Sequence, residues 1–411
     1  MSQKKLMLLG GLRYLLPVIK EAHKLGIYVI TADYLPNNIA HKYSDEYCNV
    51  SIIDKDAVLK AAQKLKIDGI LSHAVDPGVV SAAYVAEKMG LPFQCSFEAA
   101  CILQDKSLFR KYLADHGFNC PKAKGYDNPE DALKDVDYFN WPVIVKPVDS
   151  AGSKGVTKVE DKANLRRAIE TALAASLSKN FVIEDFLDKV GAQSSADIFT
   201  VDGKLVYPAY SDQLFDADAA NPYTPAIEIW PASMEQKYQN NLTEQLQRLF
   251  TLLKVKSGIY NVESRVCSDG KAYIMEVSPR GGGNRIAELQ DMATGQSLIR
   301  NEIKKALGMP MDNITAPKYD GVWCNYILHT NKPGTFVSID IDPEFQQKYV
   351  RDIGLIVKPG DKVVPFTGAN NSLGTMFLRF NNREALDSAI STISKSITIN
   401  IRTLYENLSR R

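Results

Sequence analysis

Charge imbalance is nearly absent from this sequence: 49 Lys and Arg stand against 48 Asp and Glu, a formal +1 over 411 residues. A general nucleic-acid binder carries a basic excess, so the balance argues against that class, and any anion site must be built locally. Cysteine is scarce: six residues, at 48, 95, 101, 120, 267 and 324, with no CxxC pair. The five histidines include no HExxH spacing. Neither a disulfide scaffold nor a zinc centre has a framework here, and a reducing, cytoplasmic setting is expected. Long apolar runs are also missing. No segment reaches the ~18 residues of a spanning helix, so no membrane role is expected. The opening "MSQKKLMLLGGLRYLLPVI" is interrupted by Arg13 and followed by no small-residue cleavage site. It reads as strand, loop and helix, not as a signal peptide.

The length allows two or three domains. Through residue 95, short apolar runs ("KLMLL", "IYVITAD", "DGILSH") alternate with helical patterns ("PVIKEAHKLG", "DKDAVLKAAQKL", "PGVVSAAYVAEKMG"). This β-α repeat predicts a parallel sheet wrapped by helices. Gly10-Gly11 sits at the first strand-to-helix turn and GxGxxG is absent, so a plain tight turn is favoured over dinucleotide binding. "DKSLFRKYLADHG" predicts a helix with Leu108, Phe109, Tyr112 and Leu113 on one face. Lys106 lies in its first turn, where a cation is unfavourable against the helix dipole. Strands are expected at "PVIVKP", "FVIEDFL" and "SADIFTVDGKLVYPAY", the last folding back at Asp202-Gly203. An amphipathic helix is expected over 233–254, then a strand pair over 259–278, the Gly-rich "PRGGGN" and a helix near 296–307. The last hundred residues read as strands closed by one helix, "REALDSAISTISKSI".

The spacing in "YNVESRVCSDGKAYIMEVSPR" carries the most chemistry. With Asp269-Gly270 as the centre of a two-residue turn, stepping outward sets Glu263 opposite Glu276. Directly opposed side chains have Cβ atoms ~5 Å apart, and like charges there destabilise a sheet. Period-2 alternation puts Val262, Val266, Tyr273, Met275 and Val277 on one face and Glu263, Arg265, Glu276, Ser278 and Arg280 on the other. Two close carboxylates can be accommodated by a divalent cation, by arginine or by a shared proton. Arg265 and Arg280 permit a purely structural ion network. The metal reading is favoured, because an all-oxygen site with few carboxylates suits Mg²⁺ completed by substrate phosphates.

The second feature is "VIVKPVDSAGSKGV". Alternation turns Lys146 away from Val143 and Val145, and the glycines that follow let backbone amides form an anion nest. GxxxxGK[ST] is absent, so this is no Walker loop.

In order and spacing, "LQDK", "VIVKP", the glycine loop, "FVIEDFL", "YNVESRV" and "YIMEVSPRGGGN", behind an N-terminal α/β unit, resemble the ATP-grasp ligases. The likeness is to the branch with L-amino-acid ligases, carbamoyl-phosphate-synthase-like proteins and the purine-synthesis carboxylases and synthetases. The resemblance implies an α/β and α+β chain. A Rossmann-like parallel sheet would fill 1–100, and an ATP-grasp core of two α+β subdomains 101–310, with its nucleotide lid at about 120–190. A small α+β region would fill 311–411. It implies ATP and Mg²⁺, with Mn²⁺ as a substitute. Lys106 and Lys146 would hold phosphates under a loop of Ser150, Gly152, Ser153, Lys154 and Gly155. Glu184, Asp185, Phe186 and Leu187 would meet the adenine, and Gln193 the ribose. Glu263, Glu276 and Ser278 would hold the metal, Ser278 replacing a frequent Asn and Gln193 a usual glutamate. Arg280 would steady an acyl phosphate, with Lys154 joining on closure. The implied reaction joins a small-molecule carboxylate to an amine, in an enzyme that is commonly a homodimer. A purine-pathway or bicarbonate-using synthetase, or a non-catalytic ATP-binding module, is the alternative. His73 and His329 are candidate proton acceptors by residue type alone, and "YSDQLFDADAANPYTPAIEIWP" either lines the acceptor pocket or is a surface excursion.

Overall fold

The computed structural model describes residues 3–150, 152 and 154–402. The first hundred residues form the expected parallel sheet, in the order Glu46–Asn49, Tyr28–Asp33, Lys5–Leu9, Gly69–Leu71. Its central strand is apolar on both faces, with Leu6, Met7, Leu8 and Leu9 fully buried, as helices covering both sides require. Helix Lys55–Leu65 starts on an Asp54 cap, and helix Asp76–Met89 stops at Gly90 with φ +67°. The strand Glu46–Asn49 is an addition to the sequence reading.

A four-stranded antiparallel sheet follows, in the order Ala123–Tyr126, Phe181–Asp185, Val143–Pro147, Thr157–Val159. Val143 and Val145 pack in one cluster with Leu165, Ile169 and Ala172 of helix Leu165–Ala175. Lys146 therefore leaves the strand on the other face.

The largest sheet runs Ala272–Ser278, Gly258–Cys267, Lys189–Val201, Asp212–Phe215, Pro225–Trp230, Val322–Leu328, Gly374–Phe380, Val350–Leu355. One side of its first strands packs on helix Gln236–Leu252 through Leu242, Leu246, Leu249 and Phe250. Three of its strands come from beyond residue 320. A separate three-stranded sheet joins Lys362–Val363, Gly334–Ile341 and Ile397–Arg402.

Leu108 is exposed, and the buried face of helix Lys106–Asp115 is Phe109, Arg110 and Leu113. The terminal helix breaks: Arg383–Ser391 and Ile393–Ser396 precede a strand, because Ile397–Arg402 pairs with Gly334–Ile341. Residues 281–294 hold a further helix, Ile286–Thr294. In the 258–278 hairpin the turn has three residues, not two. Cys267 N–H bonds the Lys271 carbonyl, and Gly270 has φ +74°, the usual geometry of a three-residue loop with glycine in the left-handed position. Ser264, Arg265 and Val266 consequently face Ile274, Tyr273 and Ala272. A bulge at Met275 then restores the register, so that Glu263 pairs with Glu276 after all. The core side of the second strand is Ala272, Ile274 and Val277, with Tyr273 and Met275 outside that cluster.

Candidate active site

Four elements bring charged side chains to one place: the first turn of helix Lys106–Asp115, the end of strand Val143–Pro147, the end of strand Phe181–Asp185, and the acidic face of the hairpin. Glu184 is buried, with one carboxylate oxygen 2.5 Å from Lys146 Nζ and the other 2.8 Å from Arg110 Nε. Burial opposes its charge, but Arg110 and Lys146 outweigh burial and hold the carboxyl well below its usual range. Burial pulls the Lys146 ammonium down to about 8, because Arg110 and Lys106 offset much of what Glu184 offers. Arg110 lies one turn after Lys106 and also bonds the Met275 carbonyl at 2.8 Å. The sequence reading missed it, although its spacing from Lys106 puts both on one helix face.

Lys106 donates to the Ser150 carbonyl at 3.0 Å and sits 3.4 Å from Glu276. Glu263 is raised well above the usual carboxylate range, by burial first and then by Glu276, against Arg265 and Lys106. Among the described residues no group of three or more His, Cys, Asp or Glu is arranged to hold a metal. The opposed pair Glu263 and Glu276 nevertheless fits a cation that takes its other ligands from phosphate and water, since such an ion removes the repulsion that pushes Glu263 up. Ser278, the third expected ligand, is buried, and its hydroxyl is engaged elsewhere. It accepts from Gln104 at 2.6 Å and donates to Asp76 at 2.9 Å.

Gln193 lies beside the acidic pair. Its amide donates to Gln213 at 2.9 Å and Glu263 at 3.3 Å and accepts from Arg265 at 2.5 Å. Asp185 is tied by Asn140 at 2.7 Å, and Phe186 N–H bonds the Pro142 carbonyl. Leu187 is half-buried. At the glycine loop, Asp149 anchors the entry by accepting from Ser176 and from the amides of Leu177 and Ser178. Beyond it Gly152 and Lys154 are exposed, and Gly155 turns back with φ +72°. Ser153 lies outside the described residues.

Arg280 makes a two-pronged contact with Asp76, Nε to Oδ1 and Nη2 to Oδ2, both 2.8 Å, and bonds the Gly281 carbonyl at 3.0 Å. Three of its five N–H donors are thus used, and two remain. Burial opposes the charge on Asp76, but Arg280, Ser278 and Lys106 hold its carboxyl below the usual range. Asp76 opens helix Asp76–Met89, where a carboxylate also complements the helix dipole.

After Arg280 the glycine loop touches buried side chains. A Cβ at Gly281 would lie 2.4 Å from His73, and one at Gly282 would lie 2.8 Å from Asp197. Gly282 N–H donates to the Asp197 carboxylate at 2.8 Å. Asn284 and Arg285 both have positive φ, 52° and 62°, a backbone state held only where surroundings enforce it. Here the Asn284 carbonyl accepts from Asn325 at 2.8 Å, and Arg285 pairs with Asp352 at 2.6 Å. Glu228 neighbours this loop through Asn325 at 3.1 Å, and burial pushes its carboxyl up to about 8. His329 stacks on Phe366 and bonds Asp216 at 3.0 Å.

Three comparisons with known proteins bear on this geometry. A family model described as "ATP-grasp domain" matches residues 139–288, which include Lys146, Glu184, Glu263, Glu276 and Arg280. The formate-dependent phosphoribosylglycinamide formyltransferase of Synechococcus sp. (strain CC9311) is 25% identical over 317 residues, 76% of this chain and 79% of that protein. The carbamoyl phosphate synthase large chain of Thermotoga neapolitana is 26% identical over 247 residues, 59% of this chain but 21% of that protein, so the match spans about a fifth of that relative's length. The L-amino acid ligase of Bacillus licheniformis shares the fold, with a TM-score of 0.81, 20% identity, 98% of this chain covered and 100% of that one.

Proposed function

For a chain that belongs to the ATP-grasp superfamily, we propose an ATP-dependent carboxylate–amine ligase of the amino-acid type, forming a C–N bond with release of ADP and phosphate. The observation that carries the reading is the opposed pair Glu263 and Glu276 beside Lys106 and Lys146, with Arg280 fixed at the end of the same hairpin. Glu263 and Glu276 would hold Mg²⁺ or Mn²⁺, which would supply charge neutralisation for phosphate oxygens. Lys106 and Lys146 bind the nucleotide's phosphates, and Lys154 arrives when the loop folds down. Lys146 already has its position set by Glu184, which cuts the ordering cost of binding. A substrate carboxylate oxygen attacks the γ-phosphorus, the bond to ADP breaks, and an acyl phosphate forms. The two free donors of Arg280 stabilise charge on that acyl group and on the tetrahedral species formed when an amine adds. Loss of phosphate leaves the amide. The polypeptide's contribution is positioning, electrostatics and exclusion of water. A homodimer is the assembly expected with this reading.

Phosphate release is the test. ATP and Mg²⁺ with a panel of amino acids should yield phosphate that depends on added carboxylate and amine. Glu276→Ala should reduce it at least ~100-fold while the fold persists, since the change also removes a like-charge pair. Binding of ATP without any substrate-dependent phosphate would remove the ligase reading. The extended match to the formyltransferase favours a second reading, a purine-pathway or bicarbonate-using synthetase. Formate and bicarbonate belong in the same panel for that reason.

A further inference from the structure

The ligase reading lacks a proton acceptor for the amine. An amine that adds to an acyl phosphate must shed a proton; Lys106 and Arg280 are held as cations by their carboxylate neighbours, and Lys146 is engaged by Glu184. Among the described residues, a buried pair outside the charged cluster is suited to the task. His73 follows strand Gly69–Leu71, and its Nδ1 lies 2.7 Å from Glu302 Oε2 on helix Leu298–Ala306. Both residues are buried. With Nδ1–H donated to Glu302, Nε2 is left as the lone-pair nitrogen, and among the described residues nothing hydrogen-bonds it. The ring packs against Gly281, the residue after Arg280, and lines a cavity of about 270 Å³.

That cavity is bounded by Gly282, Gly283 and Asn284, by Leu16, Pro17 and Ile299, and by Leu355 from the distal part of the chain. Its walls are mainly apolar, and the charged residues lining it are Arg13, Lys20, Arg285 and Glu288, the last two paired with each other. The size and lining suit an amino acid with an apolar side chain, its carboxylate towards the cations and its amine towards the ring.

We propose that His73 is the general base of the amine step, taking the proton from the acceptor amino acid at Nε2, and that Glu302 is its positioning residue. This rests on the ligase reading. The amine lone pair forms the C–N bond, the C–O bond to phosphate breaks and its electrons leave with phosphate, and the amine proton passes to Nε2. The surroundings agree. Burial lowers the basicity of His73, but Glu302 and then Asp197 raise it above the ordinary value against the opposition of Arg280. Lys305, on the same helix, lies near Glu302.

Hydroxylamine separates the base from the rest of the machinery. It is largely unprotonated at neutral pH and attacks acyl phosphates without a base. The full chain is incubated with ATP, Mg²⁺ and the twenty proteinogenic L-amino acids, with or without hydroxylamine, and hydroxamates and dipeptides are measured. His73→Gln should make hydroxamates within about threefold of the parent rate and dipeptides ~100-fold more slowly or worse. Glu302→Gln is the gentler variant. It should lower kcat for dipeptides ~10-fold, leave KM for ATP unchanged and move the acidic limb of the pH profile to lower pH, since a neutral partner no longer supports the imidazolium. Equal loss of both products in His73→Gln would mean a structural role, and parental dipeptide rates would mean none; either overturns the assignment. A parent protein making neither product would overturn the ligase reading instead, and the base with it.

Discussion

Glu184 and Glu228 are both buried glutamates, yet their neighbours give them opposite pH behaviour. Glu184 has Arg110 and Lys146 on its two oxygens. Its folded pKa lies below the ordinary 4.5, so its stabilising contribution is present above that value and is lost as pH falls through the folded one. Glu184→Gln leaves two buried cations without an anion and should destabilise by roughly 3–5 kcal/mol at pH 7. The deficit, read from urea unfolding, should shrink on acidification. Glu228 is held up near 8 by burial. The folded state keeps a proton there that the unfolded chain releases above about 4.5, so this group lowers stability as pH rises between those values. Glu228→Gln should match the parent near pH 4 and exceed it by roughly 1–3 kcal/mol near pH 9. A parallel pair of urea curves across that range would contradict the assignment. Neither environment was legible in the sequence. Asn325 stands 97 residues from Glu228 and Arg110 stands 74 from Glu184, separations at which local periodicity carries no information.

At the scale of elements, most of the αβ alternation was readable because caps, glycines and apolar spacing agree with one another. The hairpin shows both the reach and the limit of that reading. The turn has one residue more than the Asp269-Gly270 pattern predicts, and the Met275 bulge supplies a compensating offset. The opposition of Glu263 and Glu276 thus came out right while the faces of Tyr273, Ile274 and Met275 did not. Bulges leave no mark in period-2 patterns, since they are the places where the period fails. The short strands Glu46–Asn49 and Ile397–Arg402 were missed for a related reason: their pairing is set by partners already in a sheet. Two glycines give contrasting tests. Gly270 has a positive φ and open space around it, so Gly270→Ala should cost about 1 kcal/mol with kcat unchanged. Gly282→Ala would press on Asp197, Ile286 and Asn261. It should destabilise by roughly 1–3 kcal/mol and lower ligation at least ~10-fold, through displacement of Arg280. Thermal melts and steady-state kinetics on the same preparations distinguish the two.

Across the whole molecule, the charged cluster is assembled from distant parts of the chain. The sequence identified Lys106, Lys146, Glu263, Glu276 and Arg280 as one constellation, and the structure brings them together. The same motifs gave no sign that Arg280 is held by Asp76, 204 residues away, or that the cavity beside His73 draws on residues from Arg13 to Thr375. Asp76→Asn keeps the shape but loses the full charge on the partner of Arg280. It should reduce kcat at least ~10-fold and change KM for ATP less, because of the two lysines proposed to bind phosphate only Lys106 feels the charge of Asp76, and Lys106 keeps Glu276 beside it.

The contact between Asp76 and Arg280, like that between His73 and Glu302, couples the first hundred residues to the rest of the chain. A chimaera that takes its first hundred residues from a relative would retain Lys106, Lys146, Glu184, Glu263 and Glu276. It would still work only if the donor brings an acid to the start of that helix. Recombination within the family should therefore favour breakpoints that transmit both residues from one parent.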